Sequence, residues 1–206
     1  MRHRKITQAQ WSPTPWKNGG GSTVQLAIFP LTSSLSEGNY TWRVSLATAT
    51  QSGPFSEFPG FDRVIAVLGD RPMVLRSGGV EQILRPLEPY QFSGNDKTAC
   101  KILGEEVRDL NAMIKHDHGS LEMHVLELPP NAKRKVTATD YSIFFCVKGK
   151  GRFVIPAEGR RPVIQDDFAE NTTMIIETIK PLEKLDIEVG PEGATFLVTD
   201  FLLHLG

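Results

Sequence analysis

The sequence predicts an all-β protein, because short strand-like runs recur along the whole chain and no long helical repeat interrupts them. The runs alternate apolar and polar residues or are rich in β-branched residues, which is typical of strands. Many short strands at regular spacing favour a sandwich or barrel of antiparallel sheets. In chain order, the predicted strands cover residues 23–29, 41–49, 63–68, 73–76, 80–84, 99–103, 122–128, 142–147, 151–155, 174–179, 185–189 and 194–201.

Turn residues separate these strands. Glycine, asparagine and aspartate tolerate the backbone angles of tight turns, and proline cannot donate a hydrogen bond within a sheet. The clearest turns, in order, are Leu68-Gly69-Asp70, Ser77-Gly78-Gly79, Ser93-Gly94-Asn95, Pro129-Pro130-Asn131 and Gly190-Pro191-Glu192-Gly193.

A weak internal repeat indicates that the two halves of the chain share one architecture. Residues 62–75 and 142–155 both read as strand, glycine turn, strand, and 80 residues separate Gly69 from Gly149. Two copies of such a unit predict a duplicated barrel. We place the halves at residues 1–110 and 111–206, with the chemistry concentrated in the first half.

Charge and composition exclude several classes of function. The 206 residues carry a formal net charge of -1, which provides no global field for nucleic acid or an anionic membrane. The short basic runs at residues 2–5, 133–135 and 160–161 are interpreted as solvated. No apolar run suits a membrane helix or a signal peptide. Cys100 and Cys146 form no disulfide framework, so we expect a reduced, cytoplasmic setting.

The most informative segment contains two arginines among serines and aromatic residues. Arg43 and Ser45 lie two apart on a predicted strand and therefore share a face. If that face lines a cavity, a guanidinium and a hydroxyl are placed to bind a carboxylate. A solvated strand arginine is the simpler alternative. The neighbouring residues of the same segment that could complete such a site are Trp42, Phe55, Ser56, Phe58 and Arg63.

Two further motifs carry polar groups. Asn18 precedes Gly19-Gly20-Gly21, where successive backbone N–H groups could form an anion-binding nest, although a flexible glycine turn explains the motif equally well. Asp109 and Asn111 lie two apart on an extended segment and face the same way. They could contribute to a site or could hydrogen-bond the crossing between the halves.

His116-Asp117-His118 with Glu122 matches the His-x-His-x-x-x-Glu spacing of metal-binding cupins. The run is polar and turn-like, and no suitable later histidine supplies a fourth ligand. A solvated loop between the repeats is therefore the preferred interpretation. No nucleophile, dinucleotide, P-loop or zinc-finger motif is present, so any catalysis would depend on Arg, Asp or His.

Four motifs in order resemble the HutD/Ves family over nearly the whole chain. They are Trp16-Lys17-Asn18-Gly19-Gly20-Gly21-x-Thr23, Trp42-Arg43-Val44-Ser45-x-Ala47, Gly53-Pro54-Phe55-Ser56-x-Phe58-Pro59-Gly60-x-Asp62-Arg63 and Asp109-Leu110-Asn111-x-Met113. The resemblance implies a bicupin fold, with two RmlC-like jelly-roll barrels that lack the usual metal ligands. It also implies a modulating role in bacterial histidine utilisation, although Ves members are associated with stress or cold. Val24-Gln25 depart from the charged pair typical of the family.

These observations together predict a metal-free protein that uses no cofactor and binds a small anionic metabolite such as urocanate or formylglutamate. Its protein partner is unknown, and we expect no nucleic acid or membrane partner. A metal-independent enzyme acting on a small carboxylate is the main alternative, and a metal cupin dioxygenase is the next. The predicted ligand-binding residues are Asn18, Trp42, Arg43, Ser45, Phe55, Ser56, Phe58, Arg63, Asp109, Asn111 and Met113.

Overall fold

The computed structural model describes residues 1–159, 162–180 and 182–204, so the basic run at residues 160–161 lies outside the described residues. Within them, the one helical element is a 3-10 turn at Gln8–Gln10. The strands are β1 (Arg2–Ile6), β2 (Thr14–Pro15), β3 (Gly21–Phe29), β4 (Trp42–Ala49), β5 (Gly53–Pro54), β6 (Phe61–Leu68), β7 (Met73–Ser77), β8 (Val80–Leu84), β9 (Tyr90–Ser93), β10 (Thr98–Ile102), β11 (Val107–Lys115), β12 (Gly119–Leu128), β13 (Lys133–Thr137), β14 (Tyr141–Ile155), β15 (Ile164–Ala169), β16 (Thr173–Glu177) and β17 (Lys184–Leu203).

Two compact units divide the chain. The N-terminal unit contains Trp11–Glu122 and the described residues after Leu202, and the C-terminal unit contains Met1–Gln10 and Met123–Leu202. This division differs from the predicted boundary between residues 110 and 111. That position lies inside β11, which pairs with both β4 and β6 along its length. The first ten residues join the C-terminal unit because β1 pairs with β16.

The N-terminal unit is built from two antiparallel sheets. One has the order β2-β3-β4-β11-β6-β9, and the other has the order β5-β10-β7-β8. Inward-facing apolar residues from both sheets form its core, because alternate side chains of each strand point to the same face. That core contains Ile65, Val67, Met73, Leu75, Leu84, Phe92, Cys100 and Val107.

The C-terminal unit has a sheet of order β1-β16-β14-β17-β12, with β13 paired to β17 and β15 paired to β14. Its core is rich in aromatic residues: Phe144, Phe153, Phe168 and Phe196 contact one another with ring centroids 4.9–6.3 Å apart. β14 and β17 were each predicted as two shorter strands. In the structure each is continuous, and the pairing between them shifts register at two points, Cys146/Lys148 and Gly149/Gly151.

The two units repeat one strand arrangement. In the N-terminal unit β11 lies between β4 and β6, and in the C-terminal unit β17 lies between β12 and β14. Ile65 and Val67 of β6 belong to the core of the N-terminal unit, and Phe144 and Cys146 of β14, each 79 residues later, belong to the core of the C-terminal unit. The register shift after Cys146 adds one residue, which restores the interval of 80 between Gly69 and Gly149.

Several strands escaped the sequence analysis. β13 and β15 are dominated by charged and polar residues, so neither shows the apolar alternation that identifies a strand. β9 is short, and β5 contains only two residues. Cys100 and Cys146 are both free and buried, which confirms the prediction that they are unpaired. In the described part of the chain, no helix is long and apolar enough to cross a membrane.

Gly94 fixes the loop that leads into β6. Its N–H donates to Phe61 O at 2.8 Å, and Phe58 N–H donates to Gly94 O at 3.0 Å. A Cβ atom at this position would lie 2.2 Å from Phe58 O, so a side chain here must displace backbone.

We therefore expect Gly94→Ala to lower the free energy of unfolding by about 2 kcal/mol or more. Gly53→Ala is the matched control, because its Cβ would meet no atom within 4 Å. Urea denaturation of both variants tests this, and equal stabilities would contradict the close approach.

Candidate functional site

The predicted polar residues meet on the inward face of the N-terminal unit. Met113 of β11 lies directly opposite Arg43 of β4 on one side and Arg63 of β6 on the other. Directly opposed residues of antiparallel strands project from the same face. Asn111 likewise lies opposite Ser45. The strand register therefore places two arginines, a serine and an asparagine on one buried patch.

Arg63 is held by aromatic rings and few hydrogen bonds. Its guanidinium carbon lies 4.5 Å from the ring centroid of Phe92, 5.1 Å from that of Phe58 and 5.8 Å from that of Phe55. All three distances permit cation–π attraction. One Nη donates to Asn111 Oδ1 at 3.2 Å, and the other donates to the backbone carbonyl of Ser56 at 3.3 Å. Arg63 Nε is buried without a hydrogen-bond partner among the described residues.

Arg43 is also buried, with 6% of its surface exposed. Its Nε donates to Gln25 Oε1 at 3.2 Å. Gln25 lies on β3 directly opposite Ser45, and Gln25 is exposed to solvent. Burial lowers the pKa of Arg43 because the charged form loses hydration. The hydrogen bond from Arg43 thus connects a buried cation to the exposed residue Gln25.

Asp109 supplies a buried carboxyl group to this patch. It is 2% exposed, and burial raises its pKa to about 7, although Arg63 and a hydrogen bond from Asn111 favour the ionised form. Burial likewise lowers the pKa of Arg63 to about 10. Asp109 Oδ1 has no hydrogen-bond partner among the described residues. Near neutral pH, the patch therefore contains two guanidinium groups and one partly ionised carboxyl, and positive charge is in excess.

Tyr40 closes one side of the patch. Its ring lies 5.0 Å from that of Phe61, and its hydroxyl lies 3.6 Å from Met113 Sδ. Burial raises the pKa of Tyr40, and the charges of Arg43 and Arg63 oppose the rise. Tyr40, Phe61 and Met113 belong to one apolar cluster with Ile28, against which Phe58 packs.

Three predicted site residues lie elsewhere or act differently. Trp42 neighbours Arg43 on β4, so its side chain points to the opposite face, where it stacks on Phe29 with centroids 5.9 Å apart. Ser56 is exposed and contributes its backbone carbonyl to Arg63. Asn18 is exposed, and its Oδ1 accepts a hydrogen bond from Gly20 N–H at 3.1 Å. Asn18 thus stabilises its own glycine turn.

The sequence analysis missed Gln25, Tyr40 and Phe92. Gln25 had a weak signal, because it departs from the charged pair typical of the resembled family. Phe92 lies directly opposite Arg63 on β9, a strand that was not predicted. Tyr40 lies in the segment before β4, and nothing in its local sequence indicated a contact with Met113.

The histidine motif forms a turn between β11 and β12. His116 Nδ1 lies 2.8 Å from Asp62 Oδ2, whereas His118 Nδ1 lies 2.6 Å from Asp117 Oδ1. The His116 side chain is 79% exposed, as expected for a solvated loop. Within the described ranges, no group of three or more His, Cys, Asp or Glu side chains could hold a metal. The predicted alternative of a His116, His118 and Glu122 ligand set is therefore not assembled.

The fold and the sheet order define a bicupin, a protein of two jelly-roll barrels. The structure resembles the oxalate decarboxylase of Lactobacillus farciminis in a formate complex, with a TM-score of 0.69 over 95% of this chain and 85% of that chain, at 8% identity. At this identity the likeness shows the fold alone.

The chain belongs to the HutD family, whose model matches residues 8–191. HutD from Pseudomonas fluorescens SBW25, solved in a formate condition, is 21% identical with a TM-score of 0.79, over 99% of this chain and all of that chain. A conserved protein of unknown function from Pseudomonas aeruginosa PAO1 has a TM-score of 0.83 at 24% identity, and both chains are covered completely.

A curated relative links the sequence to the histidine-utilisation locus. It is an uncharacterized 21.2 kDa protein in the hutC 3' region of Pseudomonas putida, 39% identical over 115 residues. The match covers 54% of this chain, and the chain spans 58% of that relative's length. The family is thus associated with the histidine-utilisation locus.

The raised pKa of Asp109 makes stability depend on pH. The carboxyl takes up its proton near pH 7 in the folded state and near pH 4 in the unfolded chain. Between these values the folded state binds more protons, so the contribution of Asp109 to stability is largest below about pH 4 and is lost by about pH 7.

We expect the stability of Asp109→Asn relative to the natural protein to increase by on the order of 2–3 kcal/mol as the pH rises from about 5 to about 8. Urea denaturation at both pH values measures the difference. Asp70→Asn alters an exposed carboxyl of the same unit and is the control. A pH-independent difference between Asp109→Asn and the natural protein would contradict the buried carboxyl.

Proposed function

We propose that this protein binds a small carboxylate metabolite of histidine breakdown, of the urocanate or formylglutamate type, at Arg43 and Arg63. Binding would modulate histidine utilisation in the cytoplasm. The observation that carries the proposal is the excess of buried positive charge: two guanidinium groups share one patch with a single, partly ionised carboxyl.

Burial without full compensation favours a ligand. An arginine removed from water needs hydrogen-bond acceptors, and Arg63 Nε has none among the described residues. A carboxylate supplies two acceptor oxygens and a negative charge in a planar geometry that suits a guanidinium.

The surrounding side chains suit a small organic acid. Phe55, Phe58 and Phe92 surround the Arg63 guanidinium and would contact the apolar part of the ligand. Ser45 and Asn111 provide further hydrogen-bonding groups on the same face. A mainly apolar surface with a few convergent polar groups is typical of small-molecule sites.

Arg43→Ala should weaken binding of urocanate or N-formylglutamate by about 2–5 kcal/mol, because truncation removes a desolvated charged partner of the ligand. Arg43→Lys should restore little, since an ammonium lacks the planar fork. The melting temperature of the empty protein should stay the same or rise, because an incompletely paired buried cation is removed. Isothermal titration calorimetry and thermal melts measure these effects.

Arg76→Ala is the matched control for Arg43→Ala. It removes the same charge from an exposed position on β7 of the same unit. Equal affinities of Arg43→Ala and Arg76→Ala, or the absence of heat with both metabolites at millimolar concentration, would contradict the proposal.

Anion binding should also be coupled to proton uptake. A carboxylate placed beside Arg63 raises the pKa of Asp109 further, because it adds a like charge and competes for the guanidinium. Affinity should therefore fall as the pH rises through about 7. Titration in Bis-Tris and in Tris buffer, which differ in ionisation heat, should show uptake by the natural protein and none by Asp109→Asn. Identical heats in both buffers would show that Asp109 is not coupled to the ligand.

The raised pKa of Asp109 also favours one alternative, because a carboxyl that titrates near neutral pH can act as a general acid or base. In that case the protein is a metal-independent enzyme acting on a small carboxylate. Proton NMR of the titrated metabolites separates the two functions. A binding protein leaves them unchanged, whereas turnover that Asp109→Asn abolishes would identify the enzyme.

A further inference from the structure

We propose that the C-terminal unit has a second small-molecule site, which binds a zwitterionic aliphatic amino acid. The site is a surface cavity of about 330 Å³. This volume lies within the usual range of small-ligand pockets. It is separate from the Arg43 and Arg63 patch, which belongs to the N-terminal unit.

The cavity lies at a repeated position of the fold. Asp200 of β17 pairs with Ser142 of β14, just as Met113 of β11 pairs with Arg63 of β6. The C-terminal unit therefore carries a polar cavity where the N-terminal unit carries its arginine patch. The residue types differ, so we expect the ligand to differ.

The Asp200 carboxylate is held in position to accept a hydrogen bond from a ligand. Ser142 Oγ donates a hydrogen bond to Asp200 Oδ1, and Thr139 Oγ1 lies 3.2 Å from the same oxygen. Ser142 is completely buried, so it fixes the carboxylate from below. The second oxygen, Oδ2, lies 3.8 Å from His124 Nδ1. This distance is too long for a hydrogen bond, which leaves Oδ2 available to accept from an ammonium group.

Arg134 supplies the opposite charge on the wall formed by β13. It pairs with Ile187, a core residue of β17, and therefore projects from the core-facing side of its strand. A guanidinium there is placed to bind the carboxylate of a ligand whose ammonium group lies at Asp200. Opposite charges on one cavity favour a zwitterion over a simple anion.

The cavity also has an apolar part, beside the polar residues Lys135 and Thr137. Val136, Phe144 and Val198 line the same cavity, and the last two belong to the core of the unit. His124, whose side chain is 45% exposed, stands at the solvent side beside Asp200. An aliphatic side chain would cover the apolar surface, since its burial is favourable by about 25 cal/mol per Å².

L-Leucine and two matched analogues test the proposal. 4-Methylpentanoate lacks the ammonium group, and 3-methylbutylamine lacks the carboxylate. In NMR titrations of the labelled protein, leucine should shift the resonances of His124, Val136 and Val198 saturably, with a dissociation constant below about 10 mM. Each analogue should bind at least tenfold more weakly.

Variants assign the two charges. Arg134→Ala and Asp200→Asn should each weaken leucine binding at least tenfold. Lys133→Ala should keep the affinity within twofold, because it removes the same charge from the same strand but from the opposite face, where Lys133 pairs with Glu188 at 2.9 Å. Arg134→Ala decides the outcome if Asp200→Asn fails to fold.

Three outcomes would overturn the inference. Leucine could give no saturable shift at these residues, or could shift only residues near Arg43 and Arg63. 4-Methylpentanoate could bind as tightly as leucine, which would identify a simple anion site. Lys133→Ala could weaken binding as much as Arg134→Ala, which would indicate attraction by general charge alone.

Discussion

The burial of two guanidinium groups on one sheet face constrains the whole N-terminal unit. Moving an unpaired charge out of water is costly, so every neighbouring element must help to compensate. Arg63 obtains aromatic rings from β9 and from the segment before β6, with one amide from β11. Arg43 obtains Gln25 from β3. The compensation is incomplete, since Arg63 Nε and Asp109 Oδ1 lack partners among the described residues. Unsatisfied buried polar groups of this kind often occur at functional sites.

The C-terminal unit uses the same strand order for a different purpose. Its core combines four phenylalanine rings with aliphatic side chains, and the polar pair Ser142 and Asp200 joins β14 to β17. The matching position of Arg63 is occupied by Ser142, whose small hydroxyl supports Asp200. One unit therefore buries two arginines on its sheet, whereas the other carries a half-buried aspartate supported by a serine. A repeated strand order permits this because strand pairing depends on the backbone and leaves most inward side chains free to vary.

Local alternation predicted which side chains share a face but not which strands meet. Arg43 with Ser45 and Asp109 with Asn111 were placed correctly on common faces, since a period of two belongs to any strand. The same rule excludes Trp42, which the sequence analysis predicts to be an aromatic wall of the site. Gln25, Tyr40 and Phe92 reach the site through pairings with distant segments, and those pairings are not encoded in local composition. The polar strands β13 and β15 were missed because they form by pairing with β17 and β14, and their own side chains lack the apolar alternation of a strand.

The register shift after Cys146 in β14 has a consequence for the comparison of the two halves. Before it, equivalent positions of the two units are 79 residues apart, and after it they are 80 apart. An ungapped comparison at the interval of the turn glycines pairs Phe144 with Val64, which lies on the opposite face of its strand from the core residue Ile65. The single inserted residue thus prevents any one spacing from aligning the core residues of both halves along this strand. A gap at this bulge aligns the core residues on both sides of it.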